Sequence, residues 1–377
     1  MTPEEKLQLI KRNTEEIMGE EDLKKMLENG TKLKHYIGFE ISGKPHLGHG
    51  LVCMGKVKDF MDAGVECSIF LADWHSWIND KLGGDREVIK KMTNSFFKEV
   101  LIAAFKCVGG NPKDLKFVMG SELYSNNDKF WETVIDVSKH TSLSRILRST
   151  TIMGRSEGEA IDFAKLIYPP MQVADIFAQD INIAHAGMDQ RKAQVIARDV
   201  AKKLKLHPLK DAEGNVIKPV AVHGHLILGL QKPKVWPVPK EDMQSLWATM
   251  KMSKSIPNSA VFMTDSEEEV TKKINGAFCP EGIVDFNPVL DWIKHLIFVR
   301  DESTFEIERP EKFGGNLTFN SFKELEKAFK NKEIHPMDLK SSFAKRLNEI
   351  LKPAREHFAQ KHVKKAVEEM NKLTITR

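Results

Sequence analysis

Over the first two-thirds of the chain, short apolar runs alternate with longer amphipathic stretches, and beyond that the pattern becomes helical throughout. Residues 34–39, 65–72 and 115–119 read as strands, and residues 85–108 have helical periodicity. A turn at Ser42-Gly-Lys-Pro45 leads into another helical stretch running from Leu47 through Leu51, Val57 and Phe60 to Ala63. Such alternation predicts an α/β fold with a parallel, doubly wound sheet and a ligand at the carboxyl ends of its strands, where Tyr36, Ala72 and His75 fall. Further on, 265–277, 289–299, 321–330 and 337–370 are mostly helical, which predicts a smaller α-helical C-terminal domain. The division expected is 1–258 and 259–377.

Within the helical stretches, Tyr168, Gln172 and Asp175 stand at i, i+4 and i+7, and so share one helix face beside an apolar face of Ile167, Met171, Ala174 and Ala178. A polar stripe beside an apolar one suits a lined pocket. Ile181-Asn-Ile-Ala-His-Ala-Gly-Met-Asp-Gln190 follows as a short strand and turn opening another helix.

Tyr36-Ile-Gly-Phe-Glu-Ile-Ser-Gly-Lys-Pro-His46-Leu-Gly-His49 adds chemistry to the pattern. His46 and His49 stand three residues apart at the first turn of a helix, where unpaired backbone N–H groups and the helix dipole favour an anion. Two imidazoles there can donate hydrogen bonds to a triphosphate. Gly48 between them lets a flat ring such as adenine lie against the backbone. Lys251-Met-Ser-Lys-Ser255 comes much later, between the proline-rich Lys232-Pro-Lys-Val-Trp-Pro-Val-Pro-Lys240 and Ile256-Pro257, and its sequence predicts an exposed, mobile loop. Its two lysines could close over a leaving pyrophosphate. Taken singly, these are a surface turn with two histidines and a solvated basic loop; occurring in this order, they resemble the two signature sequences of class I aminoacyl-tRNA synthetases.

The pocket segments, with Tyr36-Ile-Gly-Phe-Glu and Leu71-Ala-Asp-Trp-His75, narrow the resemblance to tyrosyl-tRNA synthetases of the archaeal and eukaryotic type. The resemblance extends from about Tyr36 to the Arg309-Pro-Glu-Lys-Phe-Gly-Gly315 segment and beyond. It implies a Rossmann-like catalytic domain with an α-helical anticodon-binding domain, and an enzyme that activates L-tyrosine with Mg·ATP and transfers it to the 3′ end of tRNA(Tyr). By the same resemblance, Tyr36 and Asp175 would hold the phenolic hydroxyl, and Tyr168, Gln172 and Gln190 the α-amino group. Ala72 and His75 would line the pocket wall. ATP would meet Gly38, His46, Gly48, His49, Met252, Ser253 and Lys254, with His46, His49, Lys251 and Lys254 stabilising the triphosphate. Arg148 and Arg191 would meet the acceptor stem. An acceptor carboxylate and a phenol at the pocket floor would be left unpaired by phenylalanine; rejection by roughly 10⁵ without editing is known for the family and is adopted as such.

Each pocket residue has a plain structural alternative: Asp175 as a helix-packing carboxylate, Tyr36 as a strand tyrosine reaching solvent. The nearest functional alternative is a tryptophanyl-tRNA synthetase, since Asp175 could accept from an indole N–H; Tyr36 with Gln172 and Gln190 argues against it. A non-catalytic RNA-binding paralogue would be expected to have eroded His46, His49 or Lys254. A small-molecule adenylyltransferase would leave the helical C-terminal region unexplained.

Where the family usually has an aspartate that reads the anticodon guanine, this chain has Asn316, whose amide can accept a hydrogen bond but without a carboxylate's charge. The net charge of +4 is too mild to identify a nucleic-acid binder, though Lys340, Lys345, Arg346, Lys352, Arg355, Lys361, Lys364, Lys365 and Lys372 concentrate in the last helical stretch. The resemblance also implies a homodimer, for which 140–153 is an interface candidate, and the compact form typical of archaea. Cys53, Cys67, Cys107 and Cys279 are widely spaced, which predicts reduced thiols. Asp73, His75 and Asp80 suggest no metal site, nor do His223 and His225, read as two histidines on one side of a strand end, because neither set has a further ligand at a recognisable spacing. No apolar run could span a bilayer, and the N-terminus lacks the apolar core of a secretory signal, so a cytoplasmic protein is expected.

Overall fold

Burial on both faces is what turns the short apolar runs into strands: Val220–Gly224 is buried at every position, and Glu66–Leu71 at all but its first. The computed structural model describes residues 1–155, 158–233, 236, 238, 250, 257–299 and 303–373. Its main sheet has six strands: β1 (Thr14–Met18), β2 (Lys34–Phe39), β3 (Glu66–Leu71), β4 (Lys116–Met119), β5 (Ile183–Gly187) and β6 (Val220–Gly224). They lie in the order β1-β6-β5-β2-β3-β4. Strands β2 to β6 pair in parallel, as the alternating pattern predicts, and β1 pairs antiparallel with β6.

Strand β1 was not apparent in the sequence. Thr-Glu-Glu-Ile-Met has little apolar character, and it is a strand because one edge of β6 was open to it; charge on an edge strand also discourages pairing with another chain. From β2 the chain builds outward through β3 and β4, then crosses back to add β5 and β6 on the other side. The order therefore reverses between β2 and β5, and the crevice beyond their carboxyl ends is where such sheets bind ligands.

Alternation along β2 divides the core. Ile37 and Phe39 join an apolar cluster with Phe60, Phe96 and Phe105, and Tyr36 joins a second cluster with Phe70, Phe130 and Phe177. The first cluster continues into Trp292, Phe305, Phe329 and Phe343 of the C-terminal part. Helix Pro336–Phe358 meets helix Lys98–Cys107 there, with His357 Nε2 at 2.7 Å from Glu99 and Lys106 Nζ at 2.9 Å from His357 Nδ1. Side chains satisfy the first amides of several helices: Thr2 and Ser266 form capping boxes, and Asp85, Asn127 and Asn287 cap theirs.

The helical stretch 85–108 proves to be helices Arg86–Met92 and Lys98–Cys107 joined by one wider turn, and 337–370 divides into Pro336–Phe358 and Lys361–Asn371. The C-terminal part also contains a two-stranded antiparallel ribbon, β7 (Phe305–Ile307) with β8 (Leu317–Phe319), whose three-residue strands are too short to show a period.

Candidate active site

A cavity of about 760 Å³ opens at the switch between β2 and β5 and has two chemically different ends. At one end Tyr36 and Gly38 of β2, Phe70 and Ala72 at the end of β3, and His75 from helix Asp73–Ile78 face Tyr168, Gln172 and Asp175. These last three do share one face of helix Ala164–Ala178. Asp175 is almost wholly buried, and its Oδ1 accepts from Tyr124 Oη at 2.8 Å while its Oδ2 lies 3.7 Å from His75 Nε2. Burial drives the Asp175 carboxyl well above the usual range; the Tyr124 hydrogen bond opposes the shift and the charge of Asp73 adds to it. Burial also raises the phenol of Tyr36, helped by the charge of Asp175, and holds His75 neutral by lowering its pKa to about 3. The Tyr36 ring packs edge-on to Phe70, and His75 edge-on to Tyr168 with ring centres 4.5 Å apart.

Further along the same wall, Gln172 Nε2 donates to Gln190 Oε1 at 3.2 Å, Gln190 donates to the Ile152 carbonyl, and Tyr168 Oη donates to Glu40 at 3.0 Å. The structure thus brings all seven residues expected at the amino-acid end to one cavity. Three more that the sequence did not single out join them, Glu40 and Asp189 on the cavity wall and Tyr124 behind it through its bond to Asp175. Tyr124 lies just past the end of β4 and Glu40 just past β2, and Asp189 follows β5. A polar residue one turn beyond a parallel strand was the available signal.

At the other end, His46, Gly48 and His49 line the cavity, with the two histidine rings 4.1 Å apart. The Gly48 amide donates to His46 Nδ1 at 3.1 Å, which fixes that ring at the helix entrance. The turn is clamped by a segment remote in sequence: the Leu47 amide donates to Val261 O and the Met263 amide to Pro45 O, each at 3.0 Å. Gly50 allows this close packing, since a Cβ there would stand 2.3 Å from Met263 Sδ and the methionine would have to shift. Lys251, Met252, Ser253 and Lys254 lie outside the described residues. Their flanks are placed nonetheless: Met250 O accepts from the Gly229 amide and Ser259 O from the Leu230 amide, close after the cavity-lining residues His225, Leu226 and Ile227.

Arg148 is exposed on helix Leu143–Ser149, and Arg191 opens helix Arg191–Val200 with its guanidinium paired to both carboxylate oxygens of Glu16 at 2.7 and 2.9 Å. Asn316 stands beside the β7–β8 ribbon, where its Oδ1 accepts from the Arg309 amide and its Nδ2 donates to Glu306 at 2.9 Å.

The two histidines at the end of β6 have different surroundings. His223, within the strand, faces Glu16, whereas His225, beyond it, meets Asp291 and Glu15. Asp291 and His295 of helix Pro288–Leu296 bring ligand-type atoms within 4.8 Å of His225, a grouping no local spacing could reveal. Asp73, His75 and Asp80 do not converge: Asp73 accepts from the Ser121 amide, and Asp80 pairs with Lys165 at 2.7 Å.

The family model for tRNA synthetases class I (W and Y) matches residues 28–352. A tyrosine–tRNA ligase of Thermococcus sibiricus is 54% identical, and one of Thermococcus kodakarensis 55% identical, each over the whole of both chains. A crystal structure of tyrosyl-tRNA synthetase complexed with L-tyrosine from Pyrococcus horikoshii superposes with a TM-score of 0.95 at 51% identity, covering 98% of this chain and 100% of that one.

Proposed function

This chain belongs to the class I tRNA synthetases of the W and Y type and is an ATP-dependent tyrosine–tRNA ligase, and from that premise we propose how its own side chains divide the work. The observation that carries the reading is the joining, in one cavity, of the Asp175 floor with a histidine-bearing helix entrance clamped by residues 261–263.

The tyrosine phenol sits between Tyr36 Oη and Asp175, with the Tyr124 hydroxyl holding the carboxylate in place and neutral His75 lining the wall beside it. Tyr168, Gln172 and Gln190, already joined to one another or to Glu40, receive the α-amino group. That places the substrate carboxylate toward the histidine end, where ATP brings its own Mg²⁺ as part of the substrate. A carboxylate oxygen attacks the α-phosphorus in line; the new P–O bond replaces the bond to pyrophosphate, which leaves with its electron pair. His46 and His49 donate to the triphosphate, and Lys251 and Lys254 neutralise the charge that grows on the leaving group. A ribose hydroxyl of the tRNA 3′ end then attacks the tyrosyl carbonyl, and AMP departs.

Residues 259–377 serve the anticodon, with Asn316 on the ribbon as the reading side chain and Arg148 and Arg191 at the acceptor stem; Arg191 would exchange Glu16 for RNA as its partner. Two copies associate through 140–153, which carries the exposed Leu143 and Leu147. Among the described residues no helix is long and apolar enough to cross a membrane, consistent with a cytoplasmic setting. Amino-acid-dependent ATP–pyrophosphate exchange tests the chemistry: exchange with tyrosine alone is expected, and exchange with tryptophan instead would overturn the pocket assignment.

A further inference from the structure

Beyond β6 the chain turns through His225, Leu226 and Ile227, all lining the cavity, and the helix behind this turn, Pro288–Leu296, also packs against the Gly48–Val52 turn that carries His49. That helix, from much later in the chain, holds the turn after β6 with its side chains. Asp291 uses both carboxylate oxygens: Oδ1 accepts from His225 Nε2 at 2.8 Å and Oδ2 from the Leu228 amide at 2.9 Å. The next residue, Trp292, is fully buried and donates its indole N–H to the Leu228 carbonyl at 2.7 Å. Both backbone groups of Leu228 are therefore satisfied by one helix.

His225 is also gripped from its other edge. Its Nδ1 faces Glu15 at 3.3 Å, and its ring stacks on His295 with centres 4.0 Å apart and planes 13° apart. His295 Nδ1 lies 2.6 Å from Asn13 Oδ1, and Asn13 lines the same cavity. Burial alone would strip the proton from His225, but hydrogen bonds to Asp291 and Glu15 outweigh it and raise the pKa to about 9. His295 is lowered to about 4, first by burial and then by the charge of His225; Asp291, Lys294 and Glu15 are the other charged groups facing the pair. Parallel rings send their Nε2 atoms side by side, 2.8 and 3.9 Å from Asp291 Oδ1, which suits a charged clasp better than tetrahedral coordination of one ion.

We propose that Asp291 is a positioning residue for the nucleotide, acting through His225 and Leu228 to hold the Leu226–Ile227 wall of the cavity. The inference rests on the assignment of the histidine end to ATP. The clasped turn also carries Gly229 and Leu230, whose amides hold the flanks of the lysine segment at Met250 and Ser259, so one contact steadies both the nucleotide wall and the roots of that segment.

ATP–pyrophosphate exchange with ATP and tyrosine varied separately tests this. Asp291→Asn is expected to raise KM for ATP about tenfold, the scale of a lost charge-assisted hydrogen bond, while KM for tyrosine stays within about twofold. In the unaltered protein KM for ATP is expected to rise as pH passes about 9 and His225 loses its proton, and in Asp291→Asn the rise should begin at lower pH. Should that variant fail to fold, Glu15→Gln, which reaches His225 but leaves the Leu228 bonds intact, carries the same expectation of a rise in KM for ATP alone. Equal rises in both KM values, or an unchanged KM for ATP in a folded variant, would overturn the proposal. An unaltered protein without tyrosine-dependent exchange would overturn the activity reading and this proposal with it.

Discussion

The two ends of the cavity are built by different means. The amino-acid end takes Tyr168, Gln172 and Asp175 from one helix, Tyr36 from β2, and Ala72 and His75 from the end of β3 and the helix that follows it. It is also deeply buried, so its polar atoms act in low dielectric and an unmatched one is costly. The histidine end is assembled from segments remote in sequence, Pro45 to Gly50, His225 to Ile227, Val261 to Met263 and, behind them, Asp291. A deeply buried network stores selectivity; a wall braced from behind can be adjusted from a distance.

The sharpest way to break this contrast is Asp175→Asn. With its charged acceptor lost, the buried floor should lose about 10³-fold in kcat/KM for tyrosine, while KM for ATP stays put. If the two constants shift together in pyrophosphate exchange, the ends are one unit. His49→Ala probes the opposite end and should lower kcat about 10²-fold with little change in either KM, because the charge it meets appears in the transition state. A large rise in KM for ATP with kcat intact would make it a ground-state binder instead.

Tyr124→Phe sharpens the picture at the floor. Removing the donor to Asp175 Oδ1 should cost about tenfold in kcat/KM for tyrosine. The sign of its pH effect is fixed: burial already raises the Asp175 carboxyl and the Tyr124 hydrogen bond pulls it back, so without Tyr124 it rises further. The ionised acceptor is then lost at a higher pH on acidification, and the acid limb of the rate profile should move up; an unmoved limb would remove Tyr124 from the network. The smallest effect is expected farthest away. Asn316→Asp should improve discrimination for the anticodon guanine about threefold, measured as relative aminoacylation of tRNA with and without that base. The gain is limited because an aspartate there would face Glu306, to which Asn316 now donates.

Legibility in the sequence follows the same division. Short apolar runs alternating with helical stretches pointed to β2 to β6 and their parallel arrangement, and the i, i+4, i+7 spacing put the floor residues on one face. Strand β1 escaped because an edge needs little apolar character, and β7 and β8 because three residues carry no period. Tyr124 was missed although it lies just past a strand end, since nothing in Ser121-Glu-Leu-Tyr124 points to its hydroxyl's partner Asp175, which lies far along the chain. Asp291 could not be found at all: its partners His225 and Leu228 are separated from it by the whole lysine segment, and only the folded helix brings them together.

The pairing of Pro45 with Met263 has a bearing on time as well as shape. A ribosome delivers the chain from its N-terminus, and folding can follow that order. Every floor residue up to Gln190 exists before Met263 is made, and Asp291 is made later still. The segments that clamp and brace the histidine end therefore leave the ribosome after every residue of the floor, so that end is the later of the two to be completed.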